Sequence, residues 1–163
     1  MVLDENAPSQ RSLPGLLRAA RQTFRVAVRD ALADAGCDDM PAQGSYVVVA
    51  LGQSAQMADI IGALGVSKQA AGQLVDTLAG RGYLQRDIDP DDRRRLLITL
   101  TPRGSAAAEV VRNTVDAIEA DIAVEVGARS VAHARDVLSA LSSWPGRERL
   151  QGTSAIVSSP PSL

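Results

Sequence analysis

The sequence predicts a mainly α protein of the α+β kind, on three observations. Apolar residues recur every three or four positions through most of 13–141. One stretch, 83–100, abandons that period for alternation around an acidic turn, which predicts a β-hairpin. Only Phe24, Tyr46, Tyr83 and Trp144 are aromatic, so the core has to be built from Ala, Val, Leu and Ile, which suits closely packed helices.

A chain of 163 residues, 45% of them hydrophobic, predicts one globular domain around a single core. Residues 1–12 are polar and read as a flexible arm. Residues 142–163, with Trp144-Pro145-Gly146 and a Ser-Ser-Pro-Pro-Ser run, read as a flexible tail, which leaves 13–141 as the folded part. The longest uncharged stretch, Met40 to Ala58, is unbroken apolar only from Tyr46 to Leu51, well short of a membrane span, so no membrane partner is expected. The opening MVLDENAPSQ lacks the basic start and apolar segment of a signal peptide, and a cytoplasmic location is expected. A lone Cys37 cannot form a disulfide within the chain, and no Cys/His cluster has zinc spacing; neither metal nor cofactor is expected.

Leu13, Leu17, Ala20, Phe24, Ala27 or Val28, Ala31 and Ala35 predict a first helix with one buried face, ended by Gly36. Beside that face runs a stripe of Arg18, Arg21, Arg25 and Arg29. It reads as a solvated surface partnered by Asp30 and Asp34 in preference to a ridge against phosphate. A second helix starts after Pro41 and includes Tyr46 to Leu51, although Val47-Val48-Val49 has strand propensity. A third, at about 55–64, carries Met57, Ile60, Ile61 and Leu64 on one side before Gly65 breaks it. Ser67 then caps a fourth helix whose inner positions are Ala70 or Ala71, Leu74, Val75 and Leu78, until Gly80 and Gly82 end it. Two short helices joined by Gly65-Val66 make a helix-turn-helix. Strands follow at about 83–88 and 96–100, joined by Asp89-Pro90-Asp91-Asp92. Thr101-Pro102 opens a long helix with Val111, Val115, Ile118 and Ile122 on its apolar face, and a final helix at about 130–141 points Val131, Ala134, Val137, Leu138 and Leu141 inward.

The formal net charge of −2 hides a local imbalance. From Ser67 to Arg103 there are seven bases against five acids, and elsewhere ten against fourteen, the pattern of one face meeting polyphosphate on an otherwise acidic body. On the fourth helix the side chains left over from packing are Ser67, Lys68, Gln69, Gln73 and Asp76, with Gly72 between them. Gln pairs with adenine through N6 and N7, Lys reaches guanine or phosphate, and Ser with the first free amides binds phosphate oxygens. The bland alternative is an ordinary polar helix turn. Gly72 costs up to about 1 kcal/mol relative to Ala, so it asks for close approach by DNA or by a neighbouring helix. At the hairpin tip Arg93, Arg94 and Arg95 follow two acids; an arginine steered by Asp92 fits a narrow minor groove, and the alternative is a self-neutralised solvated turn.

Residues 57–104, MADIIGALGVSKQAAGQLVDTLAGRGYLQRDIDPDDRRRLLITLTPRG, resemble the winged helix-turn-helix core of the MarR family of bacterial transcriptional regulators. The most specific part is Gly82-Tyr83-Leu84, Arg86, Asp89-Pro90-Asp91-Asp92-Arg93-Arg94, Leu100-Thr101 and Gly104. The resemblance implies a winged helix-turn-helix core at about 41–101 and dimerisation helices at about 13–36 and 102–141. It implies a homodimer on double-stranded operator DNA, with the fourth helix in the major groove and the wing in the minor groove. Ser67, Lys68, Gln69 and Gln73 fall on the reading helix; Arg86, Arg93, Arg94 and Arg95 belong to the wing, and Asp92 matches the acid that orients the arginine at Arg94. Family members are usually repressors, released by small aromatic or anionic effectors or by cysteine oxidation.

Two departures bear on regulation. Cys37 lies after the first helix rather than near its start, and Asp38 and Asp39 beside it oppose thiolate formation, so redox sensing is not expected. Phe24 and Tyr46 are the only rings placed to line the family's usual effector pocket, and both read as core residues in preference to ligand contacts. The alternatives are a winged-helix module for protein contacts or one that binds DNA without sequence preference. An enzyme is not expected: His133 is the sole histidine, without a suitably spaced nucleophile, and no phosphate loop or nucleophile elbow is present.

Overall fold

The computed structural model describes residues 12–52, 54–88 and 96–144. Among them, in order, lie α1 (Leu13–Asp34), α2 (Gly44–Ala50), β1 (Ser54–Ala55), α3 (Met57–Leu64), α4 (Lys68–Gly80), β2 (Leu84–Ile88), β3 (Leu96–Leu100), α5 (Pro102–Val126) and α6 (Ala128–Ser142). This is a mainly helical protein with a small antiparallel sheet of strand order β1-β3-β2. The described residues fall into two compact units, the first ending at Ile118 and the second beginning at Glu119, both within α5.

The core of the first unit is aliphatic, with one ring at its centre. Val47 and Val48 of α2, Ile60 of α3, and Ala71, Val75 and Leu78 of α4 are buried with Leu84, Ile98, Ala107, Ala108 and Val111, and Tyr83 is fully enclosed. Burial of Val47 and Val48 overrides their strand preference and keeps α2 helical. The helix ends follow their caps. Ser67 Oγ accepts from the Ala70 amide at 3.2 Å, Thr101 Oγ1 accepts from the Gly104 amide at 3.0 Å, and the Asp59 side chain accepts from the Gln56 amide at 2.9 Å. Between α3 and α4, Gly65 has φ +62°, a left-handed conformation that a side chain would resist, and this makes the turn between the two helices tight.

In the sheet, β2 pairs with β3 from Leu84 opposite Leu100 to Ile88 opposite Leu96. The acidic turn expected at 89–92 and the arginines at 93–95 lie outside the described residues, as do most of the expected arm and tail. The third helix begins at Met57 instead of near 55, because Ser54 and Ala55 pair with Thr99 and Ile98 as a third strand on the free edge of β3.

Three expected apolar faces are not fully covered. Of the stripe on α1, Val28 is buried and Phe24, Ala27 and Ala31 half-buried, while Leu13 is 50% exposed and Ala20 and Ala35 are exposed. Along α5, Val111 is buried, Val115 and Ile118 are half-buried, and Ile122 is 41% exposed. In α6 no residue is buried; Val131 is half-buried, whereas Ala134, Val137, Leu138 and Leu141, expected to point inward, are exposed. Helical periodicity establishes that a face is apolar and leaves open which chain covers it.

Candidate nucleic-acid interface

The site is built on α4. Three of its positions, Ala71, Val75 and Leu78, are sealed in the core and fix the helix against α3 and the sheet. That leaves Ser67, Lys68, Gln69, Gln73, Asp76 and Thr77 exposed, the first four gathered toward the amino end. The first turn of α4 holds no acid. A helix start carries partial positive charge, which favours Asp or Glu there by about 0.3–1 kcal/mol; Lys68, Gln69, Ala70 and Ala71 forgo that gain and leave the end receptive to anions. Of the predicted site residues, Ser67, Lys68, Gln69 and Gln73 are therefore brought together on one solvent face.

Arg86 on β2 is exposed, and its guanidinium pairs with Asp76 of α4. Strand β2 is thus tethered to α4 by an ion pair at the exposed face of that helix. Next to it Asp87 accepts from Thr99 Oγ1 at 2.5 Å and from Gln85 Nε2 at 3.1 Å. Asp92, Arg93, Arg94 and Arg95 lie outside the described residues.

A second cluster, which has no local signal in the sequence, holds the far end of α4. Asp39, in the loop before α2, accepts from Tyr83 Oη at 2.5 Å and from Arg103 Nη2 at 2.9 Å, while its main-chain carbonyl accepts from Arg81 at the carboxyl end of α4. Arg103 also donates to the Arg81 carbonyl at 2.5 Å and lies 4.3 Å over the Tyr83 ring. Burial, the Asp39 carboxylate and the Cys37 thiol push the Tyr83 hydroxyl well above an ordinary phenol. The hydrogen bond from Tyr83 and the charge of Arg103 outweigh desolvation and hold Asp39 below the usual carboxylate range. Two of the seven bases in the locally basic segment, Arg81 and Arg103, are thus tied into the fold instead of presented to a phosphate backbone. The four residues are 39, 81, 83 and 103, too scattered to form a motif.

Gly104 completes this corner. A Cβ there would stand 2.0 Å from the Tyr83 carbonyl oxygen, so α5 reaches the root of β2 only because residue 104 lacks one.

Above α2 the first unit contains a cavity of about 810 Å³. Phe24 and Tyr46 both line it; Phe24 is half-buried and Tyr46 44% exposed, so neither is a core residue, and the ring that fills the core is Tyr83. Val28, Leu32, Met40, Leu64, Val111 and Val115 supply an apolar lining, and Arg21, Arg25 and Arg29 add cationic groups. The arginine stripe of α1 is therefore partly solvated and partly a cavity wall, with Arg29 held by Asp30 at 2.7 Å and Arg25 by Gln22 at 3.1 Å. Cys37 also reaches the cavity; it is buried, with Sγ 3.9 Å from the Ala35 carbonyl. His133 is exposed on α6. Among the described residues no group of three or more His, Cys, Asp or Glu side chains is placed to hold a metal ion, and no helix is long and apolar enough to cross a membrane.

Residues 43–95 match the model of the MarR family. No curated protein sequence matches the chain. Among solved structures, CouR from Rhodococcus jostii RHA1 bound to p-coumaroyl-CoA is similar with a TM-score of 0.67 and 25% identity, over 84% of this chain and 96% of that one. BpsR of Bordetella bronchiseptica, whose DNA binding is regulated by 6-hydroxynicotinic acid, gives 0.63 and 23%, over 83% and 96%. The reduced form of MarR from E. coli gives 0.62 and 22%, over 80% and 96%. Residues 43–95 thus match the MarR family model, and the described residues share the winged helix fold of these MarR-type regulators, with a wing strand pair in place.

Proposed function

We propose that the chain is a homodimeric, sequence-specific repressor that binds an inverted-repeat operator and is released by a small anionic effector. The observation that carries the reading is the exposed amino end of α4, where Lys68, Gln69 and Gln73 stand free beside the Ser67 cap. Inserted in a major groove, Gln69 and Gln73 offer bidentate pairing to adenine, Lys68 a contact to guanine or phosphate, and the free amides a phosphate seat. Arg93, Arg94 and Arg95 would enter the adjacent minor groove, with Asp92 orienting Arg94, and Arg86 would follow the backbone when its pair with Asp76 opens.

Support for a dimer comes from the uncovered apolar positions on each terminal element: Leu13 and Leu16 on α1, and Val137, Leu138 and Leu141 on α6. A two-fold dimer places two reading helices about one helical turn of DNA apart, so the operator should be palindromic. For release, the cavity offers an apolar body with Arg21, Arg25 and Arg29 to meet a carboxylate or phosphate, and Phe24 and Tyr46 to meet a ring. CouR and BpsR, similar in fold, are associated with anionic aromatic compounds of that kind.

The test is selection of duplexes from a random library, followed by a titration of the enriched site. A palindromic preference is expected, and Arg94→Ala should weaken the complex by about 1–3 kcal/mol while leaving the fold intact. Absence of any enriched sequence, with binding that depends on salt alone, would favour a module that binds DNA without sequence preference.

A further inference from the structure

The middle of α4 holds a residue that the fold does not need. Gly72 lies in the interior of a thirteen-residue helix, where glycine is among the poorest formers. Its backbone φ is not positive, so no turn demands it. A Cβ built on it meets nothing within 4 Å among the described residues, so no neighbouring helix demands it either. This contrasts with Gly104, where the fold itself occupies the missing Cβ.

On the helix surface, residues three and four apart are neighbours. Gly72 therefore lies beside Lys68, Gln69 and Asp76 on one side and buried Val75 on the other, and it adjoins Gln73 in sequence. It is a half-buried spot of main chain at the margin of the exposed face, between buried Val75 and the solvent-facing Lys68, Gln69 and Asp76. We propose that Gly72 is a specificity-determining residue, a clearance that lets one DNA strand approach the α4 backbone so that Gln69 and Gln73 reach their base edges. The inference rests on the DNA-reading function proposed above and adds a geometric condition to it. Hydrogen bonds to base edges hold only from about 2.7 to 3.2 Å, so a methyl group that pushes the helix outward by an ångström breaks them while longer-range attraction to phosphates persists.

The test uses the full chain and the duplex that the wild-type protein enriches from a random library. Gly72→Ala should fold, melt at a higher temperature than wild type because Ala is the better helix former, and bind the selected duplex at least about tenfold more weakly. Its dependence on salt should match wild type, since phosphate contacts are retained. Gly80→Ala, at the last position of the same helix and equally free of neighbours, is the control for stiffening of α4 and should bind as wild type does. The proposal is overturned if Gly72→Ala binds the selected duplex within twofold of wild type. It is equally overturned if Gly72→Ala melts lower than wild type, or if Gly80→Ala weakens binding as much. If the wild-type protein enriches no sequence, the reading function itself fails, and this refinement goes with it.

Discussion

Replacing Gly104 by alanine tests whether the junction between the long helix and the wing root is as tight as its geometry states. The added Cβ would sit 2.0 Å from the Tyr83 carbonyl oxygen, 3.0 Å from its carbonyl carbon and 3.2 Å from Leu100 Cδ2. Two of those atoms are main chain and cannot swing aside. Relief requires α5 to move off β2 by about an ångström, an overpacking that costs about 1–3 kcal/mol. The same carbonyl accepts from the Thr101 amide at 3.1 Å and from Thr101 Oγ1 at 3.2 Å, and each hydrogen bond stretched by the shift adds about 0.5–1.5 kcal/mol. Against this, alanine favours the helix by about 0.5–1 kcal/mol. A net loss of about 2–4 kcal/mol follows, which for a chain of this length lowers the melting temperature by about 5–15 °C. Helical circular dichroism during a thermal scan measures it. A Gly104→Ala protein that melts at or above the wild-type temperature would refute the close approach, since only the helix-propensity gain would then remain.

Two further predictions concern the same corner and the reading end. Because the Tyr83 hydroxyl holds its proton more tightly in the fold than in the unfolded chain, its contribution is complete below about pH 10 and is lost as the pH rises beyond. Asp39 acts in the opposite sense: its contribution is full above about pH 4 and is lost as the pH falls through its lowered folded value. Thermal scans across pH should show both declines in the wild type, and Tyr83→Phe should lose the alkaline one; an unchanged alkaline decline would assign it to another group. Lys68→Ala should weaken binding to all duplexes alike and reduce the salt slope by about one, because it removes a phosphate contact without touching a base edge. A change of preferred sequence in that variant would instead make Lys68 a base reader.

How far the sequence could be read depended on whether the signal was local. Helix α4 is legible because Ser67, Gly65 and the spacing of Ala71, Val75 and Leu78 act within one or two turns of chain. The hairpin was legible from its alternation, with Ile98 inward and Thr99 outward. Strand β1 was not: Ser54 and Ala55 carry no strand character and are defined by their partners Thr99 and Ile98. The Asp39 cluster joins residues up to 64 positions apart, and each member alone resembles an ordinary surface charge or turn residue. Arg86, Arg81 and Arg103 illustrate the same limit, since a count of local charge does not reveal which cations already have an acid or a carbonyl within the fold. Periodicity marks the terminal helices and their apolar stripes but not what covers them, and Leu13, Val137 and Leu141 are exposed.

The short loop from Cys37 to Pro41 turns two ways at once. Cys37, Asp38, Met40 and Pro41 form part of the cavity wall, while Asp39, between them, grips Tyr83, Arg103 and, through its carbonyl, Arg81. Five consecutive residues thus act as a strut with one foot in the chamber and the other on the tail of α4. Under the function proposed above, thermodynamic reciprocity requires that a chamber occupant which loosens the grip on DNA is itself held less firmly when DNA is bound.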